Sequence, residues 1–571
     1  MQCIVGSLMK RYFLFKSIPY SISIALLVAS PVAMAAKFDS RSENDIFNER
    51  PVTESFSLPP ELYFPTEDQL SETGRITKDE YFDILELIKN QNLPEARNKI
   101  DGLIKRNPDD PTAYNLQALL DTKEQNVRSA RQNYEKALKL DEKNILAHLG
   151  LARLALDANE LSTAKKHSEK AIELNKNVIN AYLLLADIAL KQNKEDEIEK
   201  IFKTAFQNVR GNLTQELNLA NNLSLYYSTH DQSEKILPIS QEIIERYPNE
   251  SGALSFLAKA QIVNGQKALA EKTLEKFISQ EKNDTTHRLL LAKLLSDNTD
   301  NEKRIFELLN EVLQLDPENL EAHIHKTVFL VKLRRFDDAL KAAENVEQLF
   351  PASAVGKMLK GDIYLTQNEL DKALGINLKA YSIQPNDQLL LTIVRIMNRQ
   401  GKVNDAIELV IKELEKNPKN TVLHFSLANL YQNQKNYSKA QQHYEAVLSI
   451  DPNHLVTLNN LAWLYSEQNN PKALELAKKA YEKSPQTPAI ADTYGLILIK
   501  QGDKKEGLAI LEKTVKSFPG SPAIQFHLAK AYIANENKNQ AISILKKLVN
   551  SENDFPEKQA AMDMLNQLTT R

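Results

Sequence analysis

Histidines, carboxylates and a single cysteine are this chain's raw material for chemistry, and their spacing assembles no catalytic centre. The closest histidines, His323 and His325, are two residues apart; on a helix they would point about 200° apart and could not grip one metal ion. No glycine-rich phosphate loop, no G-x-S-x-G turn and no H-E-x-x-H pair occurs. Cys3 is the only cysteine, so the body of the chain can form no disulfide, thiolate nucleophile or cysteine metal site. The expectation is no catalytic residue, no metal and no cofactor. What remains is recognition. Trp463 is the single tryptophan, and Asn459 precedes it by one helical turn, the spacing that puts two side chains together. An amide able to hold peptide backbone beside a large ring suits an extended or helical peptide. The competing reading packs Trp463 against a neighbouring helix, with no ligand.

The elements that would position these residues are clearest just upstream, in Thr421–Asn453, TVLHFSLANLYQNQKNYSKAQQHYEAVLSIDPN. Leu427, Ala428 and Tyr431 fall on one helical face, and Ala440, Tyr444, Val447 and Leu448 on another, with a polar break at Asn433–Asn436 between them. Pro452 stops the second helix. Ala428 and Ala440 would stand where the two helices approach most closely. The unit recurs: Pro317, Pro351, Pro385, Pro418, Pro452, Pro485 and Pro519 follow one another at 34 or 33 residues. Within it, Gly361, Tyr364, Ala373 and Pro385 repeat the positions of Ala428, Tyr431, Ala440 and Pro452. This helix–turn–helix unit resembles the tetratricopeptide repeat (TPR), whose period is about 34 residues.

Counted by period, about 14 units cover residues 77–553, and an amphipathic helix within 554–571 would cap the last. The predicted fold is an all-α TPR superhelical solenoid. Irregular places are the few extra residues at Gly211–Gln215, Ile198 at a small-residue position, and a longer turn through Asp297–Glu302. The resemblance implies that the first helix of each pair lines a concave groove. Carried onto this chain, the groove residues are Phe425, Asn429 and Gln432; Asn459, Trp463, Ser466 and Glu467; Asp492 and Leu496; and Phe526 and Lys530.

Composition agrees with a helical array, being poor in glycine, with 15 in 571 residues. The 72 basic and 75 acidic residues balance to a net −3, without the basic excess that nucleic-acid binding requires. Residues 1–35 read as a secretory signal: Lys10, Arg11 and Lys16 precede a mostly apolar run, and Ala33-Met34-Ala35 fits the cleavage pattern. The alternative is an uncleaved inner-membrane anchor over residues 18–36, close to the ~20 residues a span needs. Either places the array outside the cytoplasm, with membrane contact only through this segment. Residues 36–76 form an acidic linker with Pro51, Pro59, Pro60 and Pro65, and its apolar cluster Phe56–Phe64 could dock on the first repeat or on a partner.

A narrower resemblance covers the last fifth of the chain. Asn459-Asn460-Leu461-Ala462-Trp463-Leu464-Tyr465 and Ala491-Asp492-Thr493-Tyr494-Gly495 resemble the C-terminal repeats of bacterial exopolysaccharide-export TPR proteins, the PEP-CTERM-associated TPR lipoproteins. The chain departs from them in having no lipobox cysteine after its apolar run. The resemblance implies a non-catalytic scaffold of the cell envelope that binds protein or peptide partners. The alternative is a periplasmic chaperone-like receptor for peptides or unfolded outer-membrane proteins.

Overall fold

The computed structural model describes residues 77–551 and 555–569. The proposed signal (1–35), the acidic linker (36–76) and the Phe56–Phe64 cluster lie outside the described residues. Among those described there are 29 α-helices and no strand. They form 14 hairpins plus one terminal helix, Lys558–Thr569. No described helix is long and apolar enough to cross a membrane. The chain divides into two compact units, the division falling within the helix Leu320–Lys332 at residues 322 and 323.

The hairpin Thr421–Asn433 and Tyr437–Ile450 shows why the sequence folds this way. The Asn420 side chain caps the first helix by accepting from the Val422 and Leu423 amides at 3.0 and 3.1 Å. The helix ends in a paired closure: the Lys435 amide donates to Gln432 O (2.9 Å) and the Asn436 amide to Tyr431 O (2.8 Å). Lys435 takes φ +58° to allow it. Asn436 then caps the second helix, which stops before Asp451-Pro452. The same left-handed residue recurs in thirteen of the fourteen hairpins, from Gln91 to Glu536. The seventh uses the 3-10 turn Thr299–Asn301 instead, within the longer turn that the sequence marks.

Small residues set the distance between paired helices. Ala428, Ala440 and Ala373 are fully buried. A Cβ built on Gly361 would lie 2.4 Å from Asn377 Nδ2, and one on Gly507 would lie 2.5 Å from the Gly495 carbonyl oxygen. Tyr431 is buried and Tyr364 half-buried beside them, while Pro385 and Pro452 sit exposed in the turns between units. Ile198, at a position where most units have alanine, is also fully buried.

The fifth hairpin departs from the pattern. Its first helix, Leu213–Thr229, runs 17 residues against 13 for Thr421–Asn433. A 3-10 turn, Ser233–Lys235, follows, and the second helix, Ile236–Arg246, is cut to 11. The terminal helix covers the last hairpin: Ala561, Met564, Leu565 and Leu568 pack with Phe526, Leu545, Leu548 and Phe555.

Candidate functional site

The predicted groove residues all stand on first helices of the last four hairpins, Thr421–Asn433, Leu455–Glu467, Pro488–Gln501 and Pro522–Ala534. The structure places them at different depths. Lys530 and Glu467 are exposed, and Phe425, Asn429, Trp463 and Leu496 are half-buried. Asn459, Asp492 and Phe526 are buried, at 2%, 7% and 4% exposure, as are Gln432 and Ser466.

Depth follows from what each side chain touches. The Tyr444 hydroxyl, fully buried on the second helix of its hairpin, lies 2.7 Å from both Asn429 Oδ1 and Gln432 Oε1. Asn460 Nδ2 of the next hairpin donates to it at 3.3 Å. One hydroxyl proton cannot serve two oxygens, so one of the two amides turns its NH₂ toward Tyr444. Burial pushes the Tyr444 phenol well above its usual range, which keeps it a neutral donor. The Asn460–Tyr444 bond therefore ties one hairpin to the next, while Asn429 and Gln432 hold that hydroxyl from within its own hairpin. Sequence reading missed this lock. Its only signal is a tyrosine at a position that needs no more than a ring.

The aromatic residues are also engaged. Phe425 lies against Tyr444 and His454, with ring centroids 5.9 and 5.4 Å away. Trp463 meets Tyr437 edge-on at 6.3 Å. Asn459 is buried with its Nδ2 3.5 Å from Asn460 Oδ1, so this amide joins the buried seam and is not presented outward with Trp463. Further along, both oxygens of Asp492 face His527 Nδ1 at 2.8 and 3.0 Å. Lys530 stands 5.8 Å over the Phe526 ring. Beside that pair the Glu557 carboxyl is raised from its ordinary value, chiefly by burial. What these residues leave accessible is the half-buried Trp463, Phe425, Leu496 and Asn429, with Glu467 and Lys530 exposed. Among the described residues no three metal-ligating side chains converge.

The hairpin period, the small-residue contacts and the left-handed turns define a class, the all-helical solenoid of repeated hairpins. The chain carries tetratricopeptide repeats: models of that repeat match residues 84–145, 330–388, 419–486 and 498–565. It is similar to a TPR repeat-containing protein of Pseudomonas aeruginosa, 23% identical over 171 residues, 29% of each chain. It is also similar to the photosystem I assembly protein Ycf3 of Prochlorococcus marinus, 37% identical over 75 residues, 12% of this chain and 43% of that one. The chain thus spans less than half the length of either relative. Among solved structures it is similar to yeast Tom70 (15% identity, TM-score 0.34, 81% of this chain and 96% of that one). It is similar as well to YrrB, a TPR protein with an unusual peptide-binding site (20% identity, TM-score 0.25, 32% and 95%).

Proposed function

We propose that the chain is a non-catalytic scaffold of a bacterial cell envelope, exported by residues 1–35 and serving surface-polymer export. In this reading it holds a peptide or protein partner along the first-helix face of its last four hairpins. The observation that carries the partner site is the half-buried Trp463, which is held edge-on by Tyr437 and shares its helix with the bonded amide of Asn460. A large ring fixed in place and still reachable is the kind of residue that anchors an interface at low entropic cost. The envelope assignment rests on the basic, apolar and small-residue order of the first 35 residues and on the resemblance of Asn459–Tyr465 to exopolysaccharide-export repeats.

The test is site-specific photocrosslinking in intact cells of the source organism. A photoreactive residue at position 463 or 530 should give discrete adducts in the envelope fraction, while one at the exposed Lys478 should not. Equal adducts from all three positions, or a protein recovered only from the cytosol, would remove this reading.

A further inference from the structure

The irregular fifth hairpin opens a cleft walled by second helices. It lies between Glu195–Val209 and Ile236–Arg246 and encloses ≈ 760 Å³. That volume is in the range of clefts that hold ligands. Its floor is apolar: Phe202, Leu223, Tyr227 and Ile243 are buried, and Phe206 and Ile239 line it half-buried. The long helix Leu213–Thr229 and the 3-10 turn stand between the two walls in sequence. Glu216, fully buried, fixes this geometry. It accepts from the Gly211 amide at 2.8 Å, from the Tyr247 hydroxyl at 2.9 Å, and from Arg246.

The charges around the rim are unbalanced. Lys235 is neutralised by Glu199 at 2.6 Å and Arg246 by Glu216. Lys200, Lys203 and Arg210 are exposed, and among the described residues no carboxylate pairs with any of them. Asp196 is the one unpaired carboxylate in the lining, since Glu242 lies 3.9 Å from Arg246. Three free cations thus flank an apolar floor walled by two helices. Two parallel ridges of side chains accept a third helix between them, and free cations on the flank select an acidic one.

We propose that this cleft is a docking site for an acidic amphipathic helix of a partner protein, apolar on the face that meets Phe206 and Ile239 and carboxylate-rich along the edge that meets Lys200, Lys203 and Arg210. The site is distinct from the first-helix face, so one scaffold molecule can hold two partners.

The test uses the full mature chain and a fluorescein-labelled helical peptide, with Leu and Phe at i, i+4 and i+7 and Glu on the flank. Analogues carry Gln or Lys in place of Glu. Fluorescence anisotropy at low salt should give at least about tenfold tighter binding for the Glu peptide than for the Gln peptide. Charge reversal by K200E/K203E/R210E should remove that preference, Ile239→Glu should abolish binding, and Trp463→Ala should leave it unchanged. All these positions are exposed or half-buried, and circular dichroism checks that each variant folds. Equal binding of the Glu and Gln peptides, or binding indifferent to charge reversal, overturns the proposal. So does loss of binding on Trp463→Ala. Binding that emerges only after deletion of residues 37–76 overturns it too, by showing the cleft filled by the chain's own acidic segment.

Discussion

His424 and His443 meet Nδ1 to Nδ1 at 3.0 Å across the two helices of one hairpin, and His148 and His167 repeat the contact at 3.0 Å in another. The ring centroids are 5.3 Å apart in both pairs, which places the two nitrogens head to head between the rings. That geometry shares a proton and does not chelate a metal, whose ligand lone pairs must converge at an angle. In each pair the first ring's Nε2 faces a backbone carbonyl, Pro418 O at 3.0 Å and Glu142 O at 3.3 Å. Burial, then the facing histidine, pushes His167 and His443 down to about 4. Lys166 and Arg131 add to this at His167, and Lys439 at His443. His148 is also lowered, mainly by burial.

The pH dependence follows from that depression. The unfolded chain takes up these protons near pH 6.5 and the folded chain only near pH 4, so folding weakens as pH falls between the two. Thermal melts should therefore show a midpoint that is flat above pH 7 and declines from about pH 6.5 downward. The double variant His167→Asn/His443→Asn should flatten the decline between pH 6.5 and 5, above the range of most carboxylates. An unchanged slope would show that the pairs do not contribute.

The helix faces can be checked at neighbouring residues. Ala440 is fully buried, whereas Lys439 is exposed with its ammonium 5.0 Å over the Tyr431 ring. Ala440→Leu should overpack the hairpin and cost roughly 1–3 kcal/mol. Lys439→Leu loses a cation–π contact of about 0.5–1 kcal/mol and regains some apolar cover. Denaturant melts giving equal effects for the two would contradict this packing.

Gly507 and Gly495 give a sharper case, because the obstacle is backbone. The Cβ of Gly507→Ala would approach Gly495 O at 2.5 Å and Ile499 Cγ1 at 2.6 Å. The helices must separate, at about 1–3 kcal/mol. Gly375→Ala, where a Cβ meets nothing within 4 Å, should instead be neutral or stabilising. The two substitutions share their chemistry, so a similar change in melting midpoint for both would rule out close helix approach as the cause.

The array was legible because its rules are local and periodic. Proline spacing gives the unit length, and residues such as Ala428 and Ala440 mark where helices touch. The turns were less legible. Gln91, Gln125, Arg334, Lys435 and Glu536 all adopt positive φ, and none is of a type that advertises it. The histidine pairs leave no local signature, because their partners are 19 residues apart on different helices. At the candidate site, period and register placed Trp463 and Asn459 on the same helix. Whether an amide faces outward or joins a buried seam depends on the next hairpin. Tyr444 of its own hairpin holds Asn429, and Asn460 of the next hairpin holds that Tyr444, so no single repeat contains the whole seam.

Trp463 separates binding from packing. Its ring is half-buried, in edge contact with Tyr437, so part of its area stabilises the fold and part is open to a partner. Full burial would make Trp463→Ala cost roughly 3–5 kcal/mol; a half-buried ring should cost less than about 3 kcal/mol. Loss of an interface anchor should meanwhile weaken partner capture at least about tenfold. Trp463→Phe keeps a ring against Tyr437 and should recover most of the stability, while capture recovers only in part because the indole's area and N–H are gone. Melts on the three proteins, alongside crosslinking yield from a photoreactive residue at position 530, measure both quantities in the same samples. If Trp463→Ala lowers stability sharply and the folded remainder still crosslinks at the wild-type yield, Trp463 belongs to the packing of the array and the partner site lies elsewhere.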